Sequence, residues 1–202
     1  MNKEDKEKYI NRYNERLDEF GYDPRSLGWG TGGIERQYIR FKNLLEIDKF
    51  STKKVLSVLD IGCGFGDCCE YIKKINPKIS YTGVDINQSL IDIAKEKYPA
   101  GAFLCGDILE QKFYDLILNK SKKKFDIVIA SGVFNYKLTK ENQYNYICRM
   151  LEIMFSLSNI GVAADFLTDQ VDFTHKGAFH TNIGNLYTET RKKITKKSVF
   201  RN

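Results

Sequence analysis

The chain has 202 residues, 42% hydrophobic, 13% aromatic and 29% charged, with a net charge of +6. Such a balance suits one soluble globular domain with a sizeable core. No uninterrupted apolar run is long enough to span a bilayer. The start, Met1-Asn2-Lys3-Glu4-Asp5-Lys6, is charged and leads into no apolar signal region, which argues for a cytoplasmic protein.

The predicted elements begin with an amphipathic helix over residues 3–20, whose stripe is Tyr9, Tyr13, Leu17 and Phe20. A loop rich in glycine, residues 21–33, breaks it. A second helix is expected from Ile34 to Phe50, burying Ile34, Tyr38, Phe41, Leu45 and Phe50. Glu35, Arg36, Gln37 and Arg40 would lie off or beside that stripe. Alternation then sets in. Strands are predicted at Val55–Ile61, Ile79–Val84, Ala102–Cys105, Phe125–Ser131 and Ile160–Leu167. Between them fall helices at Asp67–Ile75, Asn87–Tyr98, 108–118 and Asn142–Leu157.

That order predicts an α/β, doubly wound, mostly parallel sheet with right-handed crossovers. Residues 1–50 read as a helical cover on the same domain as residues 51–202. A helix from about Gly184 to Lys193 follows the fifth strand, and Lys197–Arg201 reads as the start of a sixth. An uncovered edge on the strand Ile160–Leu167 would favour self-association. The chain is expected to act as a monomer or homodimer.

Five cysteines, Cys63, Cys68, Cys69, Cys105 and Cys148, fit free thiols in a reducing compartment. Their spacing matches no zinc pattern, so no metal is expected. The basic runs Lys120–Lys124 and Arg191–Arg201 read as solvated surface; no nucleic-acid module accompanies them, and nucleic acid is not the expected partner.

The chemistry concentrates at predicted strand ends. Asp60, Asp85 and Asp107 stand about one βα unit apart, so the parallel topology puts all three carboxylates on one edge. A carboxylate after the second strand suits a ribose diol, and one after the third suits an exocyclic amine. Together they describe a ligand containing adenosine. The turn between Asp60 and the next helix carries Gly62, Gly64 and Gly66 and then Asp67. A dinucleotide fold would want a third glycine where Asp67 stands. An aspartate there repels a diphosphate and tolerates a cationic sulfonium. No Walker lysine follows.

Val58–Gly66 resembles the first motif of the class I S-adenosylmethionine-dependent methyltransferases. Gly83–Asn87 resembles their second motif, Cys105–Ile108 their third and Phe125–Ser131 their fourth, in order and at the right spacing. The resemblance implies a Rossmann-like fold, with S-adenosylmethionine as cofactor and a seven-stranded sheet whose carboxyl-terminal antiparallel hairpin would be cut short here. It also implies roles. Gly62, Gly64 and Gly66 admit the methionine part of the cofactor, with Asp60 facing its amino end. Asp85 would hold the ribose hydroxyls and Ile86 would pack on the adenine. Asp107 and the Ile108 backbone would read the adenine amine. Ser131 and Gly132 would sit beside the methionine carboxylate and the methyl group.

The fourth motif ends in Asn135-Tyr136 and lacks the N-P-P-Y or D-P-P-Y signature that resembles base-amine methyltransferases. The expected acceptor is therefore a polar or anionic small molecule, a sugar or phosphoryl metabolite, methylated on oxygen. The lead segment Gly28–Phe41 resembles that of a bacterial methyltransferase group met in gene clusters for capsule and other surface-polysaccharide biosynthesis. Trp29 is expected to close the cofactor pocket. Arg36 and Arg40, one helical turn apart, would clamp an anion, with Asn135 and Tyr136 beside the acceptor. His175 and His180 are the candidate general bases. Two alternatives stand: a nucleic-acid or protein methyltransferase, and a non-catalytic cofactor-binding partner subunit.

Overall fold

Strands rich in Val, Ile and Leu, each followed by a helix, have to bury both of their faces. The structure, a computed structural model, meets this with a five-stranded parallel sheet in the order β3-β2-β1-β4-β5. It describes residues 1–29, 33–47, 52, 54–55 and 57–201. The strands are β1 Ser57–Ile61, β2 Ser80–Asp85, β3 Ala102–Cys105, β4 Phe125–Ala130 and β5 Ser158–Ala164. The helices are α1 Lys3–Phe20, α2 Gly33–Leu45, α3 Asp67–Ile75, α4 Gln88–Lys97, α5 Gln111–Ser121, α6 Gln143–Leu157 and α7 Ile183–Lys193.

Side chains alternate across the sheet with a period of two, and each face has its own core. Leu59, Ile61, Val128 and Ala130 face Phe113, Ile117, Phe134, Ile147 and Met154. Val58, Ile127 and Ile129 face Phe41, Leu44, Cys68, Ile72 and Ala94. The chain winds outward through β1, β2 and β3, then crosses back to place β4 on the other side of β1. A crevice therefore opens at the carboxyl ends of β1 and β4, the switch point of the sheet.

The expected elements are present, with shifted bounds. α4 starts where the sequence placed it: the Asn87 side chain accepts from the Ser89 N–H at 3.0 Å. β1 starts at Ser57, not Val55; Leu56 lies outside the described residues, as do Phe50 and the boundary at residues 50–51. β5 is displaced towards the amino terminus, because α6 runs straight into it. Asp165 to Leu167 leave the sheet, and the Leu167 N–H donates to Asn135 Oδ1 at 3.0 Å.

Two expectations are corrected. Lys197–Arg201 forms no strand: Arg201 pairs with Glu46 at 2.6 Å and Phe200 packs edge-on against Tyr187. The buried face of α2 is Gln37, Phe41 and Leu44, at helical spacing, while Ile34 is 42% exposed. Isoleucine gave the stripe its expected phase. Packing of Tyr38 and Phe41 on Tyr71 of α3 rotates the helix and carries Gln37 inward.

α1 lies across the carboxyl edge as a cover. Asp5, fully buried, accepts from the Thr139 N–H (2.9 Å), the Thr139 hydroxyl (2.8 Å) and the Lys140 N–H (2.9 Å). The Tyr9 ring meets Tyr136 edge-on at 5.2 Å. No described helix is long and apolar enough to cross a membrane.

Candidate functional site

Between the strand ends and this cover lies a cavity of about 480 Å³, within the range of small-molecule sites. Its floor is the turn after β1. Gly62 and Gly64 both have positive φ, +74° and +54°, which an L side chain rarely adopts. A Cβ on Gly62 would run into Val133, and one on Gly64 would stand 2.9 Å from Leu27 Cδ1. The bare backbone is thus what forms the floor. The Asp85 carboxylate pins the turn, accepting from the Gly64 N–H at 3.0 Å and from the Asn87 N–H at 2.9 Å.

The floor is acidic and buried. Asp60 is 3% exposed, and burial pushes its pKa up to about 7, although the Tyr81 hydroxyl donates to it at 2.7 Å. Burial also raises the pKa of Asp85 against the opposing effect of the Asn87 and Gly64 N–H groups. Asp67, at the start of α3, accepts from Tyr22 at 2.6 Å and Tyr98 at 3.2 Å. Burial outweighs those bonds and raises its pKa.

The walls are cationic and aromatic. α1 supplies Tyr9, Arg12, Tyr13 and Arg16, α2 supplies Arg36, Gln37 and Arg40, and the segment after β5 supplies His175 and Lys176. The Arg40 guanidinium stacks over Trp29 at 4.5 Å and stands 3.7 Å from Asp165 Oδ2. Asp165 also accepts from the Ser131 hydroxyl at 2.8 Å and the Gly132 N–H at 2.7 Å.

Residues 59–152 match a family described as a methyltransferase domain. The chain is 32% identical over 80 residues to a demethylmenaquinone methyltransferase of Thermotoga maritima, covering 39% of this chain and 32% of that protein. It is 29% identical over 83 residues to a malonyl-[acyl-carrier protein] O-methyltransferase of Priestia megaterium, covering 40% and 27%. Among solved structures, the plantazolicin methyltransferase BamL, in complex with a triazolic desmethylPZN analog and SAH, superposes with a TM-score of 0.53 at 23% identity. That match covers 77% of this chain and 54% of the other. The chain is thus similar to the class I S-adenosylmethionine-dependent methyltransferases over the matched residues. It spans less than half the length of these curated relatives.

Most of the residues singled out in the sequence come together. Asp60, Gly62, Gly64, Asp85, Ser131 and Gly132 line the cavity from the strand ends, and Trp29, Arg36, Arg40, Asn135, Tyr136 and His175 line it from the cover. Five stand apart. Gly66 caps α3 behind the turn. Ile86 and Ile108 do not line the cavity; Ile108 belongs to the core under α5 and α6. Asp107 is covered by α1, with Lys6 Nζ 3.3 Å away, and its carboxylate accepts from the Leu109 N–H at 3.0 Å. His180 lies outside the lining. Its Nδ1 is 2.8 Å from the Thr168 carbonyl and its Nε2 accepts from the His175 N–H at 3.3 Å, so both ring nitrogens are engaged.

Arg36 and Arg40 do not form a matched pair. Arg40 is tied to Trp29 and Asp165, whereas no carboxylate pairs with Arg36 among the described residues. Three site residues escaped the sequence reading. Gln37 looked like a polar neighbour of an apolar stripe. Asp165 fell inside a strand predicted to run to Leu167. Arg12 sat off the stripe of α1. The one available signal was Asp165 itself, an acidic residue at a strand end like Asp60, Asp85 and Asp107.

Proposed function

We propose that this protein transfers a methyl group from S-adenosylmethionine to a hydroxyl oxygen of a polar small molecule that carries an anionic group. One observation supports this most: the cavity joins an acidic, glycine-formed floor to a wall holding Arg12, Arg36 and Lys176. The floor suits a cationic nucleoside, and the wall suits an anion. S-adenosylmethionine, when bound, supplies an electrophilic methyl on a sulfonium.

The chain's own residues would do the rest. Asp85, fixed by Gly64 and Asn87, keeps lone pairs free for two ribose hydroxyls. α1 and Trp29, already over the cavity, would keep water from the reacting atoms, and methyl transfer depends chiefly on such placement. The acceptor hydroxyl must give up its proton as its oxygen bonds carbon. His175 lines the cavity and is the base we assign, in preference to His180 with its two engaged nitrogens. Asn135 has its Oδ1 on the Leu167 N–H, so its part is to shape the acceptor wall beside Tyr136.

A small acceptor is favoured over nucleic acid because neither basic run contributes a residue to the cavity lining. A role in capsule or surface-polysaccharide synthesis remains the narrower reading, carried by the lead segment alone. The test is transfer of labelled methyl groups by purified protein into fractionated extract. Label in a low-mass, anion-exchange-retained product is expected. Label in RNA or protein would overturn the acceptor class. Tight cofactor binding without transfer to any fraction would make the chain a non-catalytic partner.

A further inference from the structure

The two basic runs of the sequence, taken singly, read as solvated surface. The fold brings them to one edge. In a parallel sheet each crossover helix carries the chain back to the amino ends of the strands. α5 therefore delivers Lys120 and the turn Lys122–Lys124 to the start of β4 at Phe125. α6 ends at the same edge: Ser158 pairs with Phe125, and Asn159 Nδ2 donates to the Lys124 carbonyl at 3.2 Å. α7 lies beside α6 and runs the same way. The Asn182 N–H at its start donates to the hydroxyl of Tyr144, in the first turn of α6, at 3.0 Å, and Leu186 enters the same core as Ile147 and Met150. Its last turn thus takes Arg191 and Lys192 towards that edge. The cavity opens at the opposite edge, where the strands end.

Several observations set the basic edge apart from ordinary surface. Among the described residues, Lys120, Lys122, Lys123, Lys124, Arg191 and Lys192 form no ion pair, whereas Lys193 is taken by Glu189 at 2.9 Å. Lys122 has a φ of +56°, and no other non-glycine residue among those described has a positive φ. Its N–H closes α5 on the Leu118 carbonyl at 3.0 Å, at a kind of helix end where glycine fits without strain. A lysine is kept there against the preference of the backbone. Phe155, in the last turn of α6, leaves 45% of its surface in water. α6 itself stands between α5, joined to it by Tyr114 and Ser156 at 3.1 Å, and α7.

The chemistry of this edge selects its partner. So many unpaired cations call for a polyanion. None of them lines either cavity, so they offer a surface and not a groove. All but one are lysines, point charges that do not fork onto a single phosphate, and the guanidinium of Arg191 is bonded to the Tyr187 hydroxyl at 3.1 Å. A half-exposed phenylalanine among lysines suits a lipid surface: the ring enters the acyl boundary while the ammonium groups stay with the headgroups.

We propose that the amino edge of the sheet is a docking surface for an anionic lipid bilayer, held by Lys120, Lys122–Lys124 and the basic turn of α7, with Phe155 inserted among the headgroups. The cavity then faces away from the bilayer and stays open. Nothing in this depends on which ligand the cavity holds.

The test is sedimentation of the full chain with vesicles of phosphatidylcholine alone, or of phosphatidylcholine and phosphatidylglycerol at roughly two to one. The wild type should sediment with the mixed vesicles only, and added salt should release it. Lys122→Gly should lower the affinity about fivefold, the scale of one lysine near an anionic surface, while raising Tm by relieving the backbone. Lys120→Gln, Lys123→Gln and Lys124→Gln together should lower it on the order of a hundredfold with Tm retained. Phe155→Gln should lower it about fivefold at the same lipid charge. The proposal is overturned if both vesicles hold the protein equally or neither holds it, or if the triple variant binds as the wild type does. It is also overturned if Phe155→Gln changes nothing, since the edge would then answer to charge alone. Tighter binding to a short single-stranded RNA than to the mixed vesicles would overturn it in favour of nucleic acid.

Discussion

The floor and the cover of the cavity are built on opposite terms. In the floor, polar groups answer one another: Asp85 holds the Gly64 and Asn87 N–H groups, Tyr81 donates to Asp60, and Tyr22 and Tyr98 donate to Asp67. In the cover, polar groups are left facing the cavity: Gln37 Oε1 is unpaired, and Arg36 meets no carboxylate among the described residues. A closed network is rigid and presents one fixed shape. Open groups hold their valence for something that arrives. On the function proposed above, the floor is the side that would hold the donor's nucleoside, and the cover is the side whose open groups would meet what else is bound.

The hardest blow to that contrast is Asp85→Ala. Removing the carboxylate leaves the Gly64 and Asn87 N–H groups unpaired and takes away the acceptor proposed above for both ribose hydroxyls. Affinity for S-adenosylhomocysteine is expected to fall roughly a thousandfold, the scale of two hydrogen bonds to a charged group. Calorimetry reads it directly. An unchanged constant would mean that the floor does not hold the nucleoside.

Asp60→Asn probes the burial of the floor. The folded pKa of Asp60, about 7, lies above the ordinary aspartate value near 4. The folded state thus holds an extra proton between those values, and stability falls as pH rises through that window. The asparagine variant lacks this titration. Its advantage in denaturant melts should be small near pH 4, grow to the order of 3 kcal/mol by pH 8 and then level off. A gap that did not change with pH would show that Asp60 stays solvated and ionised.

How far the sequence discloses each region follows the same divide. The floor is legible because backbone geometry forces it. Only glycine tolerates the φ of Gly62 and Gly64, and a strand end leaves Asp60 and Asp85 at a common edge. The five strands are legible because doubly covered β-structure needs apolar runs. The cover is not legible in this way. Whether Gln37 or Ile34 turns inward depends on Tyr38 and Phe41 finding Tyr71 on another helix, which no local periodicity encodes. Asp5 is another case. It sits among charged residues that look solvated, and it is buried by a loop that follows β4.

Asp5→Ala should loosen the cover and spare the floor. Its carboxylate accepts three hydrogen bonds from Thr139 and Lys140, and their loss is expected to cost about 2 kcal/mol. In a domain of this size that corresponds to roughly 5 °C in Tm. The pH trend is opposite to that of Asp60. Burial by itself raises the Asp5 pKa, but the Thr139 and Lys140 donors outweigh it and the net shift is downward. Its contribution is therefore present at neutral pH and lost as pH falls through the lowered pKa, so wild type and variant converge only in acid. Binding of 5′-methylthioadenosine should change less than Tm implies, because the floor keeps its own network. An equal collapse of both would show that cover and floor fold as one unit.

The smallest effect is the one that separates donor from acceptor. Arg36 is exposed, lines the cavity and is not matched by a carboxylate among the described residues. A solvated guanidinium contributes modestly to binding an anion, on the order of 1 kcal/mol, so Arg36→Ala should raise the acceptor KM about threefold to tenfold. The affinity for S-adenosylhomocysteine should not move, and neither should Tm. Added salt should narrow the difference between wild type and variant, since an exposed charge is screened. If S-adenosylhomocysteine weakened as well, the wall would be a single anion site serving donor and acceptor alike.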